Sequence, residues 1–158
     1  MPSSASVLER IRELLSGSGV EFRELHHEPT LTSEDSARVR GEPLEIGGKA
    51  LVIKLDDRFA LFVISAARRL DSKALRKATG ARKSRFASAE ELAELTGLVP
   101  GSVPPFGEPI LPLALHADRS VLANERIAFN AGSLTDSIIL STGDWQRIAR
   151  PRVLEFSS

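Results

Sequence analysis

The apolar positions near the start of the chain follow the period of a helix. Counted from Val7, the later apolar residues follow after one, four, seven and eight positions, so all of them would share one helix face. The residues are Val7, Leu8, Ile11, Leu14 and Leu15. Ser4 or Ser6 provides an N-cap, and Gly17 and Gly19 end the helix. Capping residues and helical spacing predict further helices over 32–40 (ended by Gly41), 71–80 (capped by Asp71), 88–96 (with a Ser88–Glu91 capping box) and 144–149 (ended by Pro151).

Alternation of apolar and polar residues predicts the strands. Val20–His26 alternates as a half-buried strand does, and two apolar runs joined by 56–58 are typical of an antiparallel hairpin. The full set is Val20–His26, Ala50–Leu55, Phe59–Ser65, Ile110–Leu115, Arg126–Phe129, Ser137–Ser141 and Val153–Phe156. Helices concentrate in the first two thirds and strands in the last third. This order predicts a single compact α+β domain over 1–158, in which helices surround a mixed, mostly antiparallel sheet.

Composition narrows the function classes. The 158 residues are 42% hydrophobic and 27% charged, which is ordinary for a globular protein. The absence of cysteine excludes disulfides, thiolate chemistry and cysteine zinc sites. No run approaches the roughly 18 apolar residues of a membrane span, and acidic residues interrupt the N-terminal region where a signal peptide is apolar. We therefore expect a cytoplasmic protein without a membrane partner.

Common catalytic signatures are missing. The chain has no GxSxG elbow, Walker loop or GxGxxG turn, and its three histidines (His26, His27 and His116) lack metal-ligand spacing. We expect no metal and no cofactor. A Ser/His/Asp triad stays open, because its members need not be close in sequence.

The segment Gly97–Gly107 concentrates three of the eleven glycines and three of the nine prolines. Proline fixes φ, whereas glycine permits positive φ and close approach to the main chain. The segment is also too apolar for an ordinary solvated loop. It predicts a stiff loop that presents backbone groups at fixed positions; the alternative is a rigid connector between a helix and a strand.

Two further segments contain candidate site residues. Lys49 follows two glycines at the start of an apolar strand, where it would project from the sheet edge; the alternative is a solvated lysine. The segment 130–133 interrupts two strands and predicts a second wall of small residues. Its alternative is a bulge or turn with glycine at positive φ.

The segment from Arg68 to Arg85 carries eight basic residues against the single acid Asp71. Because the formal net charge of the chain is zero, a nucleic-acid partner would need such a local patch. The alternative is a solvated helix face. The candidate phosphate-binding residues are Arg68, Arg69, Lys73, Arg76, Lys77, Arg82 and Lys83.

Three motifs carry a resemblance: GGKALVIK, ELTGLVPGSVPPFG and ERIAFNAGSLTDSIILS. Their order and spacing resemble the YbaK/prolyl-tRNA-synthetase-associated domain family, most closely its free-standing YeaK-like members, from His27 to the region of Pro151. The resemblance implies a compact mixed-sheet fold and a metal-independent hydrolase that deacylates mischarged aminoacyl-tRNA in trans. It also implies tRNA as partner, with an aminoacyl-tRNA synthetase as a further candidate.

The resemblance also implies roles for individual residues. The family's lysine matches Lys49, and its GxxxP loop matches Gly101–Pro105, so Lys49 and Gly101 are the expected catalytic positions. Ester cleavage requires only positioning and oxyanion stabilisation, because the aminoacyl bond is already activated. The expected substrate-binding residues are His27, Ser102, Val103, Pro104, Pro105, Asn130, Ala131, Gly132 and Ser133.

One departure concerns specificity. Several family members have a histidine where this chain has Asn130, so the family's amino-acid preference does not transfer. Small residues and a stiff loop favour alanine, serine or threonine as the aminoacyl group. A non-catalytic module that binds an aminoacyl or nucleotide ligand, as a sensor or accessory subunit, is the second hypothesis.

Overall fold

The computed structural model describes residues 6–158, and within them six helices surround two β-sheets. The helices are α1 (Val7–Gly17), α2 (Ser33–Arg40), α3 (Ser72–Thr79), α4 (Ala89–Thr96), α5 (Arg119–Leu122) and α6 (Thr142–Ala149). The strands are β1 (Phe22–His26), β2 (Gly48–Leu55), β3 (Arg58–Ser65), β4 (Ser84–Phe86), β5 (Leu115–Asp118), β6 (Arg126–Asn130), β7 (Asp136–Ser141) and β8 (Arg152–Leu154). A short 3₁₀ helix covers Leu44–Ile46.

The two sheets have different connectivity. One is antiparallel, with the strand order β1-β7-β6. The other has the order β4-β2-β3-β5-β8, in which β2 pairs antiparallel with β3 and β4 while β5 pairs parallel with β3 and β8. The expected α+β class with mixed, mostly antiparallel pairing is confirmed, but the strands divide between two sheets where the sequence predicted one.

The sheets meet at the beginning of β2, where glycine permits close approach. Gly47 forms a β-bridge with Ala128 of β6. A Cβ atom on Gly48 would lie 2.7 Å from Cδ1 of Ile127, so a larger residue would push the sheets apart. This junction fixes the position of Lys49, the next residue of β2.

Side-chain caps set the helix boundaries as the sequence predicts. The Ser6 hydroxyl accepts a hydrogen bond from the Glu9 N–H, while the alternative cap, Ser4, lies outside the described residues. Ser88 and Glu91 form the expected capping box at α4. Thr32 and Asp71 cap α2 and α3 in the same way.

Strand β3 is buried on both faces and separates two hydrophobic clusters. Leu61 and Val63 pack into a large cluster with Trp145. Phe62 and Ile64, which point to the opposite face, pack with Leu75 of α3 and with Phe156. The alternation along β3 thus attaches α3 to one side of the sheet.

Two strand predictions need correction. The predicted strand Ile110–Leu115 is wrong except at its last residue, since β5 begins at Leu115. Pro112 interrupts the run and has no N–H to donate to a ladder. The last strand ends at Leu154 instead of Phe156. The basic segment also contains a strand, β4, that periodicity did not indicate.

The last residues of the chain pair with the segment after β3. Arg69 and Ser158 exchange reciprocal backbone hydrogen bonds of 3.1 and 2.9 Å. The Asp118 carboxylate accepts hydrogen bonds of 2.7 Å from the Phe156 N–H and the Ser157 hydroxyl. Burial alone would raise the pKa of Asp118, but these hydrogen bonds outweigh it and hold the pKa below its usual value.

No helix within residues 6–158 is long and apolar enough to cross a membrane.

Candidate active site

A cleft of about 510 Å³ lies where α2, the start of β2 and the end of β6 meet the glycine- and proline-rich loop. Its walls include one face of α2, residues 47–51, the loop residues Gly101 and Val103, and Asn130. Arg68 and Arg69 border the same cleft from the segment after β3. The structure therefore brings together residues from four separate sequence motifs.

Lys49 extends the cationic side of the cleft. It is exposed on β2, and its ammonium group makes no ion pair with any residue in 6–158. The neighbouring Arg68 and Arg69 are also exposed, and the Arg68 Nε donates only to the Ser157 hydroxyl, at 3.2 Å. Three positive charges thus border one opening, which suits an anionic ligand such as a phosphate.

The loop after α4 is anchored from its buried side. The Pro105 carbonyl accepts a hydrogen bond of 2.9 Å from the Trp145 indole, and the Ser102 carbonyl accepts one of 3.0 Å from the Gly132 N–H. Gly101 has a φ of +88°, in the region that favours glycine. The N–H groups of Gly101 and Val103 make no hydrogen bond with the described residues. The loop is fixed from behind and retains two backbone donors at residues that line the cleft.

A buried arginine that the sequence analysis did not single out orients the loop. Arg40 of α2 is only 8% exposed, and its Nη2 donates to Asn130 Oδ1 at 3.0 Å. Asn130 Nδ2 in turn donates to the Gly101 carbonyl at 2.7 Å. Both ends of the Asn130 carboxamide are therefore engaged, so it holds the Gly101 peptide in one orientation. Burial lowers the pKa of Arg40 to about 10, which leaves the guanidinium charged at neutral pH.

His27 joins this network through Ser137. Its Nδ1 donates to the Glu28 carbonyl, 2.8 Å away, because a carbonyl can only accept, and its Nε2 lies 2.8 Å from the Ser137 hydroxyl oxygen. The same hydroxyl oxygen accepts a hydrogen bond of 2.9 Å from Arg40 Nε. His27 thus supports Arg40 and does not itself line the cleft.

Six other residues that were expected to bind substrate do not line the cleft. Ser102 is 1% exposed and its hydroxyl donates to the Val99 carbonyl at 2.8 Å, so it faces away from the opening. The buried side chains of Pro104 and Pro105 support the loop from inside. The remaining three form the connection between β6 and β7: Ala131, Gly132 and Ser133.

The alternative interpretation of that connection, a turn with glycine at positive φ, describes it better than a pocket wall. Gly132 has a φ of +81°, and a Cβ there would meet Val7 of α1 at 2.8 Å. Ser133 donates to the Asp136 carboxylate at 2.6 Å and accepts from the Thr135 N–H. These residues pack against α1 and close the hairpin.

The rest of the basic segment does not line the cleft. Lys73, Lys77, Arg82 and Lys83 are exposed on and after α3, whereas Arg76 donates to the Ser84 hydroxyl at 3.1 Å. Arg85 is occupied differently. Its hydrogen bond to Glu91 is the main cause that lowers the pKa of that carboxyl to about 2.

A polar helix face in α2 was the signal that could have identified the missed residues. Four residues that line the cleft share this face, because they follow Ser33 after three, four and seven positions. They are Ser33, Ser36, Ala37 and Arg40. An inward helix face without large apolar residues indicates a polar cavity more than a core.

In residues 6–158 no group of three or more His, Asp or Glu side chains is arranged to hold a metal ion.

Comparison with known proteins relates this chain to aminoacyl-tRNA editing domains. A sequence model of the family described as "Aminoacyl-tRNA editing domain" matches residues 27–148. The "Multifunctional Ser/Thr-tRNA deacylase ProXp-y" of Escherichia coli strain K12 is 38% identical over 154 residues, which cover 94% of this chain and 91% of that protein. A proline–tRNA ligase of Shouchella clausii is 33% identical over 100 residues, or 63% of this chain and 17% of the ligase.

Solved structures agree on the fold. The hypothetical protein APE2540 superimposes with a TM-score of 0.84 at 25% identity, over 94% of this chain and 99% of that one. A candidate trans-editing enzyme for prolyl-tRNA synthetase superimposes with a TM-score of 0.82 at 24% identity, over 99% of both chains. The second likeness concerns the fold alone.

Proposed function

The chain belongs to the aminoacyl-tRNA editing domain family, and on that premise we propose that it is a trans-acting deacylase. Its reaction is hydrolysis of the ester in tRNA mischarged with a small amino acid of the alanine, serine and threonine class. The relative from Escherichia coli, named as a Ser/Thr-tRNA deacylase, aligns over nearly all of this chain and supports this choice.

The observation that carries the proposal is that Lys49 and the anchored loop line one cleft. The loop offers the N–H groups of Gly101 and Val103 at residues that line the cleft, and Lys49 offers a charge without an ion pair among residues 6–158. Hydrolysis of an activated ester needs a place for the developing oxyanion and a fixed position for the substrate. This cleft has candidates for both tasks.

In the proposed reaction, a water oxygen attacks the carbonyl carbon of the aminoacyl ester and forms a tetrahedral intermediate. The N–H groups of Gly101 and Val103 donate to the oxyanion that develops on the carbonyl oxygen. The bond between that carbon and the ribose oxygen then breaks, and the ribose oxygen takes up the proton that the attacking water loses. Lys49 binds a phosphate or orients the terminal adenosine. Because water is the nucleophile, no covalent intermediate with the protein forms.

The tRNA body lies along the basic segment in this proposal. Arg68 and Arg69 border the cleft, and the exposed charges of α3 and the following turn come next along the chain. Such contacts to phosphate would make binding strongly dependent on salt. We also propose that the protein acts in the cytoplasm, where it would meet this substrate, and that an aminoacyl-tRNA synthetase is a further candidate partner.

The test is a panel of mischarged tRNAs in which loss of the ester is followed over time. Alanyl, seryl and threonyl esters on the same tRNA should be released well above the buffer rate, and a correctly charged tRNA with a large side chain should not. Protection of the esters would instead identify a binding module. Release of every ester at the buffer rate would overturn the proposal.

A further inference from the structure

We propose that the hydroxyl groups of Thr30 and Ser36 form the subsite that recognises the side-chain hydroxyl of a seryl or threonyl substrate. This inference rests on the proposed deacylase function and assigns the substrate side chain to one part of the cleft. Thr30 precedes α2 and Ser36 lies within it, and both line the cleft. Their oxygens are 2.9 Å apart.

The hydrogen bonds of this pair are incomplete. Thr30 and Ser36 are 3% and 6% exposed, so water does not freely compensate their hydroxyl groups. Each hydroxyl can donate one hydrogen and accept two. One hydrogen is used between them, and the other has no acceptor among residues 6–158. A buried pair therefore retains one donor and several lone pairs at the cleft wall.

A substrate hydroxyl matches the unused hydrogen-bonding groups of the pair, because it can accept from one hydroxyl and donate to the other. Methyl or hydrogen side chains offer neither group. Buried donors are usually satisfied, and leaving one unpaired is costly, so the pair favours a ligand that completes it. This is the physical basis on which a site discriminates a hydroxylated substrate from its analogue without the hydroxyl.

Two other polar groups of the cleft, those of Thr32 and Asn130, are less suited to this task. The Thr32 hydroxyl is exposed and accepts from the Asp35 N–H as the cap of α2. The Asn130 carboxamide is held at both ends by Arg40 and Gly101. Because Asn130 is engaged in this way, the residue that corresponds to a specificity histidine in some relatives serves here to support the loop.

The experiment removes each hydroxyl separately, with Thr30→Val and Ser36→Ala. The kcat/KM for seryl-tRNA and for alanyl-tRNA is measured on the same tRNA body. We expect the ratio of seryl to alanyl kcat/KM to fall about tenfold in each variant, as for loss of one hydrogen bond to a neutral partner. Thr142→Val is the matched control, because Thr142 is also a buried hydroxyl but does not line the cleft.

Each outcome decides between the two proposals. An unchanged ratio of seryl to alanyl kcat/KM in both variants, whether or not both rates fall, would overturn the hydroxyl subsite. The deacylase function would still stand. Failure of the wild-type protein to hydrolyse any ester would instead overturn the function. If Thr30→Val does not fold, as judged by circular dichroism, the ratio measured for Ser36→Ala alone decides whether the subsite stands.

Discussion

Replacing Gly101 by alanine should impair deacylation much more than replacing its neighbour Ser102 by alanine, although both changes should destabilise the fold to a similar extent. Gly101 has a φ of +88°, which side chains rarely adopt. Its carbonyl accepts the hydrogen bond from Asn130. The alanine variant would relieve its strain by changing φ, which rotates the Pro100–Gly101 peptide and moves the Gly101 N–H, one of the two proposed oxyanion donors.

The structure sets the stability cost of each change. A Cβ at Gly101 would meet only the end of Leu134, at 3.4 Å, so the cost is the backbone strain of about 1–2 kcal/mol. Ser102→Ala deletes a buried hydrogen bond of 2.8 Å to the Val99 carbonyl, which costs about 1 kcal/mol. For a chain of this size, Tm falls by roughly 2–8 °C for Gly101→Ala and by roughly 2–4 °C for Ser102→Ala.

The activities should separate where the stabilities do not. Loss of one oxyanion donor costs about 100-fold or more in kcat, and we expect this for Gly101→Ala. Ser102→Ala should stay close to the wild-type rate, because its hydroxyl faces away from the cleft. The assay is single-turnover deacylation at a temperature where both variants are folded. Equal losses, or a larger loss for Ser102→Ala, would refute the backbone mechanism.

Three other changes test different parts of the molecule. Lys49→Ala should lose most of the deacylase activity with little change in Tm, because the side chain is exposed and lies outside the core; an unchanged rate would remove it from the site. Charge reversal in the basic segment should weaken tRNA binding and reduce its salt dependence while sparing a minimal aminoacyl ester; equal losses on both substrates would contradict this role. The residues to reverse are Arg76, Lys77 and Arg82. The pKa of Asp118 is lowered in the folded state, so its stabilisation is complete above the unfolded pKa and is lost as pH falls through the folded one. Asp118→Asn should therefore flatten the acid limb of the stability profile, as measured by denaturant unfolding from pH 6 down to about pH 2, and an unaltered limb would argue against it.

Local signals made much of this fold predictable. The Ser88–Glu91 capping box and the apolar runs of the β2–β3 hairpin depend on neighbours within a few residues, and both occur as the sequence predicts. The division into two sheets was not predictable in this way. It arises from packing between segments that are distant in sequence, such as the junction where Gly48 lies against Ile127.

In the candidate site, too, the features set by local motifs were predictable and those set by distant contacts were not. Lys49 and the loop at Gly101 belong to recognisable motifs, so the sequence pointed to them. Arg40 reads as an ordinary basic residue at the end of a helix, where it complements the helix dipole. Its burial against Asn130 and Ser137 arises only when α2 packs on β6 and β7.

The pairing of Arg69 with Ser158 makes two arginines of the cleft depend on the other end of the chain. Local opening of this pairing would release Arg68 and Arg69 together with the Asp71–Phe156 hydrogen bond. A ligand that binds only the closed arrangement opposes that opening, by about 2.7 kcal/mol at 100 times its Kd. Amide hydrogen exchange at Arg69 and Ser158 would then slow by about 100-fold when tRNA is bound, so these two amides would report occupancy of the cleft.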